Sequence, residues 1–122
     1  MKTGNFDLDK GILLVAETGN AHEGSFDKAA ALIEAAAEAG ASAVKFHIYK
    51  VSELFSENNR EKFESYKKLE FSSENLMKLR ELAVSKNLLF FLTPYYTDAV
   101  KEYKDIADAF NISSGDLDFI PL

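Results

Sequence analysis

Apolar residues along this chain form short continuous runs that alternate with stretches where they recur every three to four positions. Continuous runs are typical of strands buried on both faces, as in a parallel sheet, and the wider spacing is typical of one face of a helix. The runs predict four strands, at residues 12–16, 43–49, 88–93 and 109–112. The resulting βαβαβαβ order predicts an α/β fold with a parallel sheet and right-handed crossovers.

Capping residues predict where the two longer helices begin and end. Ser25 can cap a helix whose alanine-rich apolar face lies close to the sheet, and Gly40 suits the left-handed residue that ends it. Ser72 or Ser73 begins the next helix, and Asn87 ends it.

Two further segments connect the predicted strands. Residues 97–103 predict a short helix, and the polar residues 50–71 predict a long loop that carries one short helix. The charged run 57–68 within that loop is expected to be a solvated helix face.

Composition narrows the class of protein. The 122 residues suggest one domain, and 14 basic against 20 acidic residues give a formal charge of −6, which argues against a nucleic-acid partner. The absence of cysteine excludes disulfides and thiolate metal sites. The longest apolar run, residues 12–16, is far below the roughly 18 residues that span a bilayer. The N-terminus has no apolar signal region, so we expect a cytoplasmic protein without a membrane partner.

Polar residues follow the predicted strands at their carboxyl ends, which meet at one rim of a parallel sheet where ligands bind. They are Glu17, Lys45, His47, Thr93, Asn111, Ser114 and Asp116. The alternative for each is a strand that simply ends in a polar residue. Lys45 favours function more strongly, because a lysine on a buried strand is costly unless paired, although a structural pair with Glu17 would also explain it.

Other candidates allow two interpretations each. His22 follows the first strand and is expected on the same rim. His22 and His47 could together bind a metal, but their spacing matches no standard motif, and hydrogen-bonded structural histidines are favoured. Tyr95 and Tyr96 either line a ligand or pack beneath the loop. The glycines form no nucleotide-binding fingerprint.

Four segments in this order resemble the N-terminal half of the sialic acid (N-acetylneuraminate) synthase family. The segments are E-T-G-N-A-H-E-G at 17–24, A-G-A-S-A-V-K-F-H at 39–47, F-F-L-T-P at 90–94 and I-S-S-G-D-L at 112–117. The resemblance covers the chain from about residue 11 onward.

The resemblance implies a (β/α)₈ TIM barrel, of which residues 1–122 are the N-terminal half. The second half of the barrel and the antifreeze-like C-terminal domain usual in the family are absent from the chain. The family resemblance also implies an enzyme that condenses phosphoenolpyruvate with an N-acetylated amino sugar to give a nonulosonic acid and phosphate. Manganese or magnesium assists, with its ligands outside this chain, and we expect the fragment alone to be inactive.

The resemblance also implies roles for single residues. It assigns catalysis to Glu17, Lys45 and Asp116. It assigns substrate binding to Lys45, His47, Thr93, Asn111, Ser114, Asp116 and His22.

Three positions depart from the family pattern: Ala21 replaces an asparagine, His47 a glutamine and Asn111 a lysine. Loss of the lysine removes a charged hydrogen bond of roughly 1.5–3 kcal/mol from an anion site, so the substrate could differ. One alternative is therefore a non-catalytic or diverged barrel that binds a sugar or sugar acid. Another is a phosphate-substrate barrel lyase or aldolase that shares only the architecture.

Half a barrel would leave unpaired strand edges, because a complete barrel needs about 250 residues. We expect the chain to self-associate, as a homo-oligomer, or to be a piece of a longer protein.

Overall fold

The structure, a computed structural model, describes residues 1–55 and 58–119. Glu57, the first residue of the predicted charged run, lies outside the described residues, as do residues 120–122.

Six strands form two sheets in this part of the chain. The strands are β1 (Lys2–Thr3), β2 (Phe6–Asp7), β3 (Val15–Glu17), β4 (Ala43–Ile48), β5 (Leu89–Pro94) and β6 (Ala109–Phe110). The first two pair as an antiparallel hairpin, and the other four form a parallel sheet in the order β3-β4-β5-β6. The predicted parallel α/β order is therefore confirmed.

Among the described residues, five α-helices connect and cover the strands. They are α1 (Phe26–Glu38), α2 (Val51–Leu54), α3 (Arg60–Lys67), α4 (Ser73–Ser85) and α5 (Ala99–Tyr103). A 3₁₀ helix at Ser114–Asp116 follows β6.

The predicted helix boundaries of α1 and α4 are confirmed. The side-chain oxygen of Ser25 accepts from the backbone N–H of Lys28, and that of Ser72 accepts from Asn75. Gly40 and Asn87, with φ of +79° and +60°, adopt the left-handed conformation beyond the helix ends.

The two faces of the parallel sheet differ in what covers them. Val44, Phe46 and Ile48 are buried in one core cluster with residues of α1 and α4. On the opposite face a smaller cluster includes Phe91 with Phe6 of the N-terminal hairpin. Lys45 and His47, at the carboxyl end of β4 on that second face, remain partly accessible.

The first predicted strand is wrong in extent and burial. The run 12–16 was expected to be buried on both faces, but β3 begins at Val15, and Ile12 and Leu14 are 90 % and 56 % exposed. Within the described residues β3 is the edge strand of its sheet, so no neighbouring strand covers its outer side.

Three other predictions need correction. The described residues of the segment 50–71 contain two short helices rather than one. Strand β6 and helix α5 are each two residues shorter than expected. The N-terminal hairpin was not predicted, although Gly4–Asn5 between its two-residue strands is a known hairpin-turn signal.

Candidate functional site

Three charged or polar side chains meet at the carboxyl ends of β3 and β4. The Lys45 Nζ atom lies 2.6 Å from Oε2 of Glu17, and Nε2 of His47 lies 3.4 Å from Oε1 of the same carboxylate. Glu17 and Lys45 are register partners on neighbouring parallel strands, and Lys45 and His47 are two residues apart, so all three project from one face. We call these residues the rim cluster.

Tyr49 and Asn20 extend the rim cluster by hydrogen bonds. The Tyr49 hydroxyl lies 3.0 Å from Nδ1 of His47 and donates to Oδ1 of Asn20 at 2.9 Å. Burial raises the pKa of Tyr49 to about 12, so its hydroxyl keeps its proton at neutral pH.

The backbone after β3 fixes the carboxylate of Glu17. The backbone N–H of Gly19 donates to Glu17 Oε1 at 3.0 Å. Both the N–H and the hydroxyl of Thr18 donate to the carbonyl oxygen of Lys45, at 3.1 and 2.8 Å. These bonds join the loop to β4 and preorganise the acidic partner of Lys45.

Thr93 lies next to the rim cluster. It is the register partner of His47 in β5, so its side chain projects from the same face. The residue is 1 % exposed, and its hydroxyl has no hydrogen-bond partner among the described residues. A buried hydroxyl without a partner costs free energy, which a ligand acceptor or donor would recover.

The remaining predicted residues follow β6. Asn111 is half-buried and its amide donates to the carbonyl of Ile112 at 3.1 Å, whereas Ser114 is exposed. Asp116 lines a cavity of about 150 Å³. The other lining residues are Glu53, Tyr95, Tyr96, Thr97 and Phe119.

His22 lies on the other side of the sheet and corrects the expectation that it shares the rim with Lys45. It is fully buried, with its ring 4.6 Å from that of Phe71 and 6.2 Å from that of Phe46, which faces the helices. Its Nδ1 accepts from the N–H of Gly24 at 3.0 Å. Burial lowers the pKa of His22, which keeps the ring neutral.

Aromatic rings surround the rim cluster. The Tyr95 ring stacks on Tyr49 at 5.0 Å and meets His47 edge-on at 5.3 Å, while Tyr66 packs edge-on against Tyr49 at 5.2 Å. Tyr49 and Asn20 were not singled out from the sequence. Period-two spacing after His47 was the signal for Tyr49, whereas Asn20 lies in a loop that offered none.

The described residues do not fit a divalent metal. Among residues 1–55 and 58–119, no three His, Asp or Glu side chains converge as a metal site requires. Glu17 and His47 do converge, but the ammonium of Lys45 already pairs with that carboxylate, and two side chains alone do not make a metal site. No described helix is long and apolar enough to cross a membrane.

Comparison with known proteins defines the class. Residues 32–122 match the NeuB family. An uncharacterised protein of Methanocaldococcus jannaschii is 35 % identical across the whole chain, which covers 37 % of that protein. Pseudaminic acid synthase of Campylobacter jejuni is 29 % identical over 85 % of the chain and 34 % of its own length.

A solved structure has the same fold over nearly the whole of this chain. The N-acetylneuraminic acid synthetase of Leptospira borgpetersenii, crystallised with citrate, superposes with a TM-score of 0.90 at 32 % identity, over 98 % of this chain and 43 % of that one. The fold thus defines the class as a NeuB-type α/β barrel. The chain is a member of the NeuB family, forms part of a (β/α)₈ barrel, and spans less than half the length of these relatives.

Proposed function

We propose that this chain supplies part of the active site of an enzyme that condenses phosphoenolpyruvate with an N-acetylated amino sugar. The products are a nonulosonic acid and phosphate. The observation that carries the proposal is the rim cluster: a lysine whose side chain is only 18 % exposed, held by Glu17 beside the unpartnered hydroxyl of Thr93.

Lys45 binds the anionic groups of phosphoenolpyruvate in this proposal. The substrate carries a phosphate and a carboxylate, and a preorganised ammonium offsets their charge without reorganisation. Glu17 orients Lys45 from the loop after β3. Thr93 donates its hydroxyl to the same ligand, which would give this buried group its partner.

The sugar lies on the β6 side of the rim in this proposal. Asp116 contacts its hydroxyl groups and exchanges a proton near the reacting carbonyl, with Asn111 and Ser114 as neutral hydrogen-bonding residues. A carbon–carbon bond forms between phosphoenolpyruvate and the carbonyl carbon, and the C–O bond to phosphate breaks. Water supplies the oxygen that replaces the leaving phosphate.

Manganese or magnesium, which the resemblance implies, takes no step in this proposal, because the described residues do not fit it. The positions of the metal ligands, in residues outside this chain, remain a prediction. So do the cytoplasmic location and the assignment of the chain to the first half of the barrel.

The test is release of phosphate from phosphoenolpyruvate by the full-length protein that contains this chain, with N-acetylmannosamine or another N-acetylated amino sugar, in the presence of manganese. We expect turnover, and its loss by at least a hundredfold in Lys45→Ala, since the ammonium is a charged partner of the transition state. Lys78→Ala is the matched control, because Lys78 pairs with Glu74 on the outer surface of α4.

Two results would contradict the proposal. One is turnover in Lys45→Ala equal to that of the unaltered protein. The other is calorimetric binding of a sialic acid without any binding of phosphoenolpyruvate, which would favour a non-catalytic sugar-acid-binding protein.

A further inference from the structure

His47 has a polar partner at each ring nitrogen. Glu17 Oε1 lies 3.4 Å from Nε2, and the hydroxyl of Tyr49 lies 3.0 Å from Nδ1. A carboxylate only accepts hydrogen bonds, so its position beside Nε2 favours a hydrogen on that nitrogen. A hydroxyl both donates and accepts, so Nδ1 finds a partner whether or not it is protonated.

Asn20 allows the donors and acceptors in this hydrogen-bond network to exchange roles. With a charged ring, Nδ1–H donates to Tyr49 and Tyr49 donates to Oδ1 of Asn20, at 2.9 Å. With a neutral ring, Tyr49 donates to Nδ1, and a rotated Asn20 amide donates its N–H to Tyr49. The exchange of amide oxygen and nitrogen leaves the heavy-atom positions nearly unchanged. His47 can therefore gain a proton without losing a hydrogen bond.

The charges around His47 favour protonation of its ring when an anion is bound. The titratable and charged groups facing the ring, from the strands packed against it, are Glu17, Lys45, Tyr49 and Tyr95. From across the sheet, the charge of His47 also lowers the pKa of His22. Glu17 attracts a charged ring, but Lys45 already shares its single negative charge. Protonation of His47 thus leaves one net positive charge, which a bound anion would balance.

We propose that binding of a phosphate- or carboxylate-bearing anion at the rim cluster is linked to uptake of a proton by His47. His47 then acts as the second cation of the anion site beside Lys45, and Tyr49 and Asn20 are its positioning residues. This inference rests on the proposed function, because it concerns the same ligand site, and it adds a binding role that depends on protonation.

The linkage sets the direction of the pH dependence. Affinity for the anion falls as pH rises, because the neutral ring offers no charge. One linked proton changes the dissociation constant by at most about tenfold per pH unit. The phosphate of the ligand titrates in the same range, at about pH 6, so the effect must be read as a difference from a variant without the ring.

The experiment is calorimetric titration of the full-length protein that contains this chain with phosphoenolpyruvate between about pH 5.5 and 7.5. Two buffers of different ionisation enthalpy give the number of protons taken up. We expect a greater uptake in the unaltered protein than in His47→Gln. Tyr49→Phe should lie between the two, because it removes the hydrogen-bond partner of Nδ1. Tyr66→Phe is the matched control, since Tyr66 contacts Tyr49 through its ring, and should match the unaltered protein.

The outcomes separate this inference from the proposed function. Equal proton uptake in the unaltered protein and His47→Gln, with phosphoenolpyruvate bound by both, would overturn the role of His47 alone. Absence of phosphoenolpyruvate binding in every variant and at every pH would overturn both.

Discussion

Glu17 and Lys45 are joined twice, through the backbone and through their side chains. They are register partners of β3 and β4, and their side chains form an ion pair of 2.6 Å. The strand register therefore brings the carboxylate and the ammonium together before any ligand binds, and the bond from Gly19 to the carboxylate restricts it further. Such preorganisation distinguishes this pair from the ion pairs on the helix surfaces.

A double-mutant cycle with Glu17→Gln and Lys45→Met should measure that difference. We expect a coupling free energy of about 1 kcal/mol in urea unfolding, which is the upper end for surface ion pairs. Lys45 is only 18 % exposed, but the 44 % exposure of Glu17 keeps the coupling from being larger. The Glu74–Lys78 pair on the exposed surface of α4 is the control and should couple more weakly, because solvent screens both of its charges. Equal couplings would mean that the register adds nothing.

Replacing Thr93 by Val should separate stability from ligand binding. The buried hydroxyl has no partner among the described residues, so its loss should leave the free energy of unfolding unchanged or raise it by about 1 kcal/mol. Affinity for phosphoenolpyruvate should fall about tenfold if the hydroxyl donates to the ligand. Thr18→Val is the control, because the Thr18 hydroxyl donates to Lys45 and its loss should destabilise by about 1 kcal/mol.

Gly24 and Gly40 form a matched pair for the loop after β3. Both have φ of +79°, but a Cβ at Gly24 would collide with the backbone carbonyl of Lys68, whereas nothing lies within 4 Å at Gly40. Both alanine variants bear the backbone cost, and Gly24→Ala should lose about 1–3 kcal/mol more in urea unfolding. Similar losses would show that residues 68–71 move aside easily.

The strand faces were predictable because they depend on local periodicity. Alternation along 43–49 correctly placed Lys45 and His47 on one face and Phe46 on the other. The helix ends at Ser25 and Asn87 followed from capping chemistry, which is also local.

Features that depend on long-range contacts were not predictable. The side of the sheet on which His22 lies depends on how its loop packs against Phe71. Phe71 is 49 residues further along the chain than His22 and follows two short helices. Burial of the run 12–16 depended on which neighbours β3 has, and an apolar run alone does not reveal them.

Self-association of the 122-residue chain should depend on the exposed residues beside β3. Ile12 and Leu14 are apolar and exposed next to an edge strand, an arrangement that favours pairing with another chain. We expect oligomers by light scattering, and a shift to monomer in Leu14→Lys. Met77→Lys on α4, where Met77 is 51 % exposed, should leave the mass unchanged. A monomer in the unaltered chain would contradict this prediction.

The stability of the fold should depend on pH through His22. Burial lowers the pKa of His22 in the folded protein, so the unfolded chain binds the proton more readily. Stability from this residue is therefore complete above the ordinary histidine value of about 6.5 and decreases as pH falls below it. Urea unfolding between about pH 7.5 and 5 should show this loss, and His22→Asn should reduce it. His47→Gln should retain most of it, because the charge of His47 is the smaller cause of the shift. The same slope in His22→Asn as in the unaltered protein would assign the acid sensitivity to other groups.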